Sequence, residues 1–195
     1  WCGADFALGH NRQGDVPFLR AEGERRGFTV NVVDPVLIDG EIISSSRIRQ
    51  ALRDGAVEAV ARYLGRPFRL PGAVVEGAGR GRSLGIPTAN LAIWEERAFP
   101  AVGVYACRAH HAGGVHPAVA NIGYRPTFDG SETRTRPTIE AHLLDFSGDL
   151  YGATLALEFV ARLRSEMKFP GNEALVAQIP HDIAEARRNL VNREA

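Results

Sequence analysis

Gly77-Ala78-Gly79-Arg80-Gly81-Arg82-Ser83-Leu84-Gly85-Ile86-Pro87-Thr88-Ala89-Asn90 is the stretch on which the reading of this chain turns. Gly77, Gly79, Gly81 and Gly85 fall within nine consecutive positions. Glycine adopts backbone conformations that other residues resist, so successive N–H groups can turn inward around an anion. Arg80 and Arg82 add positive charge. Thr88 offers a hydroxyl suited to a hard cation such as Mg²⁺. If the segment is extended, Asn90 offers its amide carbonyl on the same side, because side chains two apart share a face. No Gly-Lys-Ser/Thr follows, so this is not a Walker-type phosphate loop. By themselves the glycines fit a flexible turn as well as a phosphate cradle.

Downstream, the pattern is that of strands. Leu70–Glu76, Val102–Ala109, His116–Ile122, Thr138–Leu144 and Ala153–Ala161 are rich in β-branched, aromatic and small apolar residues. Each is bounded by Gly, Pro, Asp or Asn. This spacing predicts an antiparallel barrel or sandwich rather than a βαβ sheet. Asn172–Asn192 reads as a helical tail with one apolar stripe (Leu175, Ile179, Ile183, Ala186, Leu190) that Pro180 kinks or divides.

Upstream, residues 1–66 read as mixed α/β. Asp15 caps a helix with Pro17 in its first turn and Gly27 as its stop. Phe28–Val33 alternates as a strand. Asp39-Gly40 turns a hairpin between Val36–Ile38 and Glu41–Ile43. Ser45 or Ser46 caps a helix over Arg47–Asp54, and a second short helix covers Val57–Tyr63. Gly65-Arg66-Pro67 breaks the helical pattern, which sets a boundary between 1–66 and 67–195.

Composition narrows the function. The chain has 195 residues and a formal net charge of zero, so no global field favours nucleic acid or an anionic membrane. A barrel that binds oligonucleotides is disfavoured for the same reason, and because candidate strand faces carry few aromatics. Cys2 and Cys107 make neither a disulfide framework nor a zinc site. No apolar run reaches the length of a membrane span and no signal-peptide pattern is present, so a cytoplasmic setting is expected. The opening at Trp1 reads as the interior of something longer.

Glu140 is the acid that stands out. Within Thr138–Leu144 it stands with the ionisable His142 on a face that also carries Leu144, while Ile139, Ala141 and Leu143 share the other. The pair fits an exposed strand face. It also fits a general base beside a phosphoryl transfer, where a carboxylate takes the proton of an attacking hydroxyl.

Several of these strings resemble one family. Gly77–Asn90 resembles the Gly-rich loop and Pro-Thr-Ala-Asn motif of riboflavin kinases. Asn121-Ile-Gly-Tyr-Arg-Pro-Thr-Phe128, the Glu-x-His of Glu140 and His142, Asp145-Phe146 with Tyr151-Gly152, and Arg162-Leu-Arg-Ser-Glu-Met-Lys-Phe169 follow in the family's order. Gly3-x-Asp5-Phe6-x-x-Gly9 with Gly14, and Ile43-Ser-Ser-Ser-Arg-Ile-Arg49, resemble the closing part of the FMN adenylyltransferase module that precedes the kinase in bacterial bifunctional riboflavin kinase/FAD synthetases.

The resemblance implies a mainly β protein: an antiparallel Greek-key barrel of the riboflavin kinase type with C-terminal helices, preceded by an incomplete α/β, Rossmann-like nucleotidyltransferase segment. It implies that ATP and riboflavin give FMN and ADP with Mg²⁺, both substrates being held by the barrel. Glu140 would be the catalytic base. Gly77, Gly79, Arg80, Gly81, Gly85, Thr88 and Asn90 would serve the ATP phosphates, with Thr88 and Asn90 holding Mg²⁺. Asn121, Arg125 and Arg164 would lie on the flavin side, and Ser45, Ser46 and Arg49 near the triphosphate of the adenylyltransferase remnant. The partners expected are small molecules, not nucleic acid or membrane. That family's adenylyltransferase also uses a His-x-Gly-His string. His10 lacks the second His, so adenylyl transfer is not expected of this chain. A flavin- or nucleotide-binding module without catalysis is the alternative reading.

Overall fold

The computed structural model describes residues 1–77, 81, 85–94, 96–125 and 136–191. The chain forms two compact units, Trp1–Ser45 and Ser46–Ala195.

In the first unit, local rules decide most of the backbone. Asp15 accepts a hydrogen bond from the Phe18 N–H at 2.9 Å and opens helix α1, Val16–Arg26, with Pro17 in its first turn. Gly27, in the left-handed region at φ 79°, closes it. Strand β1 (Cys2–Gly3) pairs in parallel with β4 (Val32–Val33) across that helix, and β2 (Ala7–Leu8) pairs with β3 (Gly14–Asp15). The strand expected over Phe28–Val33 therefore contracts to its last two residues. Strands β5 (Leu37–Ile38) and β6 (Glu41–Ile42) form the expected hairpin, with Asp39 and Gly40 both at positive φ, as a type I′ turn requires. Only Gly14 and Gly23 are buried here. Phe18, Phe28, Val36 and Leu37 are exposed, so this unit buries no apolar core of its own.

The second unit is built on alternation. Helices α2 (Ser45–Arg53) and α3 (Val57–Leu64) precede β7 (Phe68–Val75), β8 (Ala89–Ala92), β9 (Gly103–His111), β10 (Gly114–Arg125), β11 (Arg136–Leu143) and β12 (Thr154–Arg164). The six strands close into a barrel in the order β10-β11-β8-β7-β12-β9, and every neighbouring pair is antiparallel. Strands β9, β10 and β11 run consecutively and β12 returns beside β9, the 4-1-2-3 arrangement of a Greek key. Closure leaves no sheet edge to cover.

Alternate residues fill the interior. Leu70, Val74, Leu91, Tyr105, Cys107, Ile122, Ile139, Ala141, Leu157 and Phe159 belong to one buried cluster. Tyr105 meets Phe159 edge to face with centroids 5.3 Å apart, and its hydroxyl donates to the Ala101 carbonyl at 2.6 Å. The interior is thus packed with side chains.

Two sets of helices pack on that wall. Helix α4 (Asn172–Val191) is continuous, with Pro180 inside it. Its Ala186 and Leu190 cover Ala106, Val160 and Ala161. Helix α3 packs on β12 and β7, so the break between compact units lies upstream of the compositional break at 66/67. Arg162 ties the α2–α3 corner to the barrel: its Nη1 donates to the Asp54 carbonyl at 3.2 Å and its Nη2 to the Val102 carbonyl at 3.0 Å.

Candidate active site

Register brings distant polar residues into one row. Asn90 of β8 is paired with Glu140 of β11, and Glu140 with Asn121 of β10. Directly opposed residues lie on the same face of a sheet. Their sequence neighbours Leu91, Ile139, Ala141, Ala120 and Ile122 are buried inside the barrel. The amide–carboxylate–amide row therefore faces outward. Thr138 precedes Glu140 by two on the same face, and its hydroxyl donates to the Gly123 carbonyl at 3.3 Å.

The glycine stretch reaches this row from one end. A Cβ on Gly77 would stand 2.7 Å from Asn90 Oδ1, so the absence of a side chain is what lets the Asn90 amide lie against the chain. Gly81 accepts a hydrogen bond from the Ile86 N–H at 2.8 Å, and a Cβ there would meet Thr88 Oγ1 at 3.1 Å. Gly85 sits at φ 74°. The described part of the loop thus folds onto the Thr88–Asn90 segment. Gly79 and Arg80 lie outside the described residues. Ala89 and Asn90 begin β8, and Thr88 lies just before the strand.

The remaining named residues divide. Asn121 is in the row. Arg125 closes β10 opposite Arg136, and its side chain is outside the described residues. Arg164 lies opposite Val104, itself opposite Asn121, but its guanidinium is engaged elsewhere. It donates from Nε to Asp182 Oδ1 at 2.9 Å and from Nη2 to Oδ2 at 2.7 Å, and the buried Asp182 also accepts from Gln178 at 3.0 Å. This bidentate pair joins β12 to α4. Ser45 and Ser46 begin α2 rather than preceding it, and Arg49 follows one turn later; all three are exposed.

Three features escaped the sequence. His142, read from sequence as sharing Glu140's face, makes an unforeseen contact, with Nδ1 2.8 Å from the Pro87 carbonyl. Glu166 Oε1 lies 3.1 Å from where a Cβ of Gly123 would be, and Asn121 Nδ2 lies 3.7 Å from it, so a second carboxylate crowds the row. A cavity of about 220 Å³ opens at the barrel rim between Pro87–Ala89 and the loop Phe146–Tyr151. The Asp149 carboxylate accepts the Tyr151 N–H at 2.9 Å and shapes that loop. No spacing rule joins residues that far apart in the chain.

The donor set suits Mg²⁺. Hydroxyl and amide oxygens are hard ligands, and this ion keeps several waters and takes the rest of its shell from substrate phosphates. Among the described residues no group of three or more His, Cys, Asp or Glu could form an all-protein metal cage.

The fold defines a closed Greek-key β-barrel domain that carries a polar row on its outer face. Comparison with known proteins is specific. A family model described as riboflavin kinase matches residues 64–190, and one described as FAD synthetase matches residues 1–47. The chain belongs to the riboflavin kinase family. It is 43% identical over 185 residues to a bifunctional riboflavin kinase/FMN adenylyltransferase of Pseudomonas fluorescens, covering 95% of this chain and 58% of the relative. It is 39% identical over 191 residues to the protein of that name from Bacillus subtilis, covering 97% and 60%. The chain thus spans about three-fifths of the length of these curated relatives. Among solved structures it matches a Streptococcus pneumoniae protein named a macrolide-efflux protein, with TM-score 0.80 and 34% identity over 95% of this chain and 58% of that one. No helix among the described residues is long and apolar enough to cross a membrane.

Proposed function

We propose that this chain transfers the γ-phosphate of ATP to the terminal ribityl hydroxyl of riboflavin, giving FMN and ADP. The observation that carries the reading is the register row Asn90–Glu140–Asn121 on the outer face, with Thr88 two residues from Asn90 and the glycine segment folded against both.

In this reading the ribityl oxygen attacks the γ-phosphorus, the bond from that phosphorus to the β–γ bridging oxygen breaks, and the hydroxyl proton passes to the Glu140 carboxylate. Thr88 and Asn90 hold Mg²⁺, which supplies charge neutralisation at the phosphates when bound. Gly77, Gly81 and Gly85 serve the phosphates, and Gly79 and Arg80, outside the described residues, are assigned the same role. The rim cavity beside Thr88 takes the nucleoside end. Asn121 and Arg125 serve the flavin side, whereas Arg164 acts through Asp182 to fix α4. We assign residues 67–195 to the kinase and 1–66 to an adenylyltransferase remnant carrying Ser45, Ser46 and Arg49, in a cytoplasmic protein.

Incubating the chain with ATP, Mg²⁺ and riboflavin and resolving flavins by chromatography tests the reading. FMN is expected. Quenching of flavin fluorescence without FMN would replace the kinase by a binding module. With FMN and ATP as substrates no FAD is expected, because the first unit buries no core and offers no His-x-Gly-His string. Finding FAD would overturn that part.

A further inference from the structure

We propose that His142 is a positioning residue for Thr88, acting through the Pro87 carbonyl; this rests on the assignment of Thr88 to the metal–phosphate end of the site.

The register of β8 and β11 stops at Ala89 opposite Ala141. One step further, Thr88 falls opposite His142, where the ladder has ended. Pro87 lacks an N–H, so the peptide on its N-terminal side donates nothing, and the carbonyl on its other side is the group by which the turn can be held. His142 takes it, with Nδ1 2.8 Å from Pro87 O. A carbonyl only accepts, so Nδ1 carries the proton. The peptide that leads into Thr88 is thereby pinned to β11 by a side chain where the backbone ladder no longer reaches.

The other side of the segment is also fixed. The Ile86 N–H donates to the Gly81 carbonyl at 2.8 Å. Thr88 therefore follows a two-residue segment, Ile86-Pro87, held at both ends, by the glycine loop and by His142.

The strand that supplies the hold is itself rigid. Ile139, Ala141 and Leu143 anchor β11 in the core, while Glu140 and His142 alternate with them outward. One strand thus sets both the carboxylate that receives the proton and the prop that orients the metal-side hydroxyl. The spacing between the two ends of the reaction is built into a two-residue interval. With Nδ1 committed to a carbonyl, His142 works through Thr88 rather than on substrate.

The test is calorimetric titration of the full chain with ADP, with and without Mg²⁺, alongside steady-state kinetics. His142→Ala should weaken Mg²⁺-dependent ADP binding roughly 5- to 10-fold, the range of one lost hydrogen bond, and leave binding of riboflavin alone unchanged. His142→Asn, whose amide N–H can replace Nδ1–H, should recover most of that loss. In a Thr88→Ala background, His142→Ala should cost less than about twofold, because the pair acts as a unit. Equal losses in the Ala and Asn variants, or a full effect persisting without Thr88, would overturn the positioning role. If Thr88→Ala weakens MgADP binding and His142→Ala does not, the proposal fails and the site stands. If Thr88→Ala is without effect, the site assignment fails and takes the proposal with it.

Discussion

Glu140→Gln removes a proton acceptor and little else. Residue 140 is held between Asn90 and Asn121 by register on both sides, and its neighbours Ile139 and Ala141 are locked in the barrel core. A glutamine fills nearly the same volume and keeps a polar side chain at the same place in the row, so folding and ground-state binding should survive. What it cannot do is accept the hydroxyl proton as phosphorus is attacked. Loss of a general base costs on the order of 10²–10⁴ in rate. At 1.36 kcal/mol per decade this is roughly 3–5 kcal/mol of transition-state stabilisation. The expected result is kcat reduced by at least ~10² with KM for ATP and riboflavin within about threefold, the signature of an interaction made only in the transition state. FMN formation followed by chromatography, with thermal melting as a folding control, measures it. If kcat falls less than about threefold while the melting temperature is unchanged, Glu140 is not the base. If kcat is kept and KM alone rises, Glu140 binds substrate instead.

Gly77→Ala forces a Cβ to 2.7 Å from Asn90 Oδ1, so the Asn90 amide must shift; Mg²⁺-dependent ADP binding should weaken several-fold by calorimetry, more than for Gly113→Ala on an exposed turn. Asp182→Asn leaves the Arg164 guanidinium without its carboxylate, and since both side chains are largely buried the cost should be about 3 kcal/mol by denaturant unfolding; a change below ~1 kcal/mol would mean that the pair is not what docks α4. Burial pushes the Tyr105 phenol up from 10.0 to about 12, with Arg162 opposing the shift. The unfolded chain therefore ionises first, and the stability this group contributes is complete below pH 10 and is lost as pH rises towards 12. Tyr105→Phe should flatten that alkaline loss, and an unchanged profile would refute the assignment.

The sequence made some of this legible because the rules involved are local. The Asp15 cap, the Gly27 stop and the Asp39-Gly40 turn each need only two to four neighbouring residues, and all three are found. Strand alternation announced five barrel strands and the face that Glu140 shares with His142, but not which face points outward. It did not announce β8, since four residues behind a proline carry too short a pattern to register. Register was out of reach, because the pairing of Asn90 with Glu140 and Asn121 is fixed by barrel closure rather than by any spacing. The ion pair of Arg164 was equally out of reach, since its buried partner Asp182 lies on a helix whose docking no periodicity could specify.

The division of the barrel wall explains why the site lies where it does. Six strands enclose an interior that Tyr105, Phe159 and the aliphatic residues fill, so the proposed site draws on the residues that alternate outward. Helix α4 packs on β9, β10 and β12, and helix α3 on β12 and β7. The outer faces of β8 and β11 keep their polar residues: Asn90, Thr138, Glu140 and His142. Asn121, on the strand between this face and the helix-covered one, completes the row at its margin. Core packing beneath each of these residues then does what a pocket wall does elsewhere. It removes freedom from the backbone that carries them, so that in the proposed reaction the carboxylate, the amides and the Thr88 hydroxyl would meet a bound phosphate already aligned, with little reorganisation left to perform.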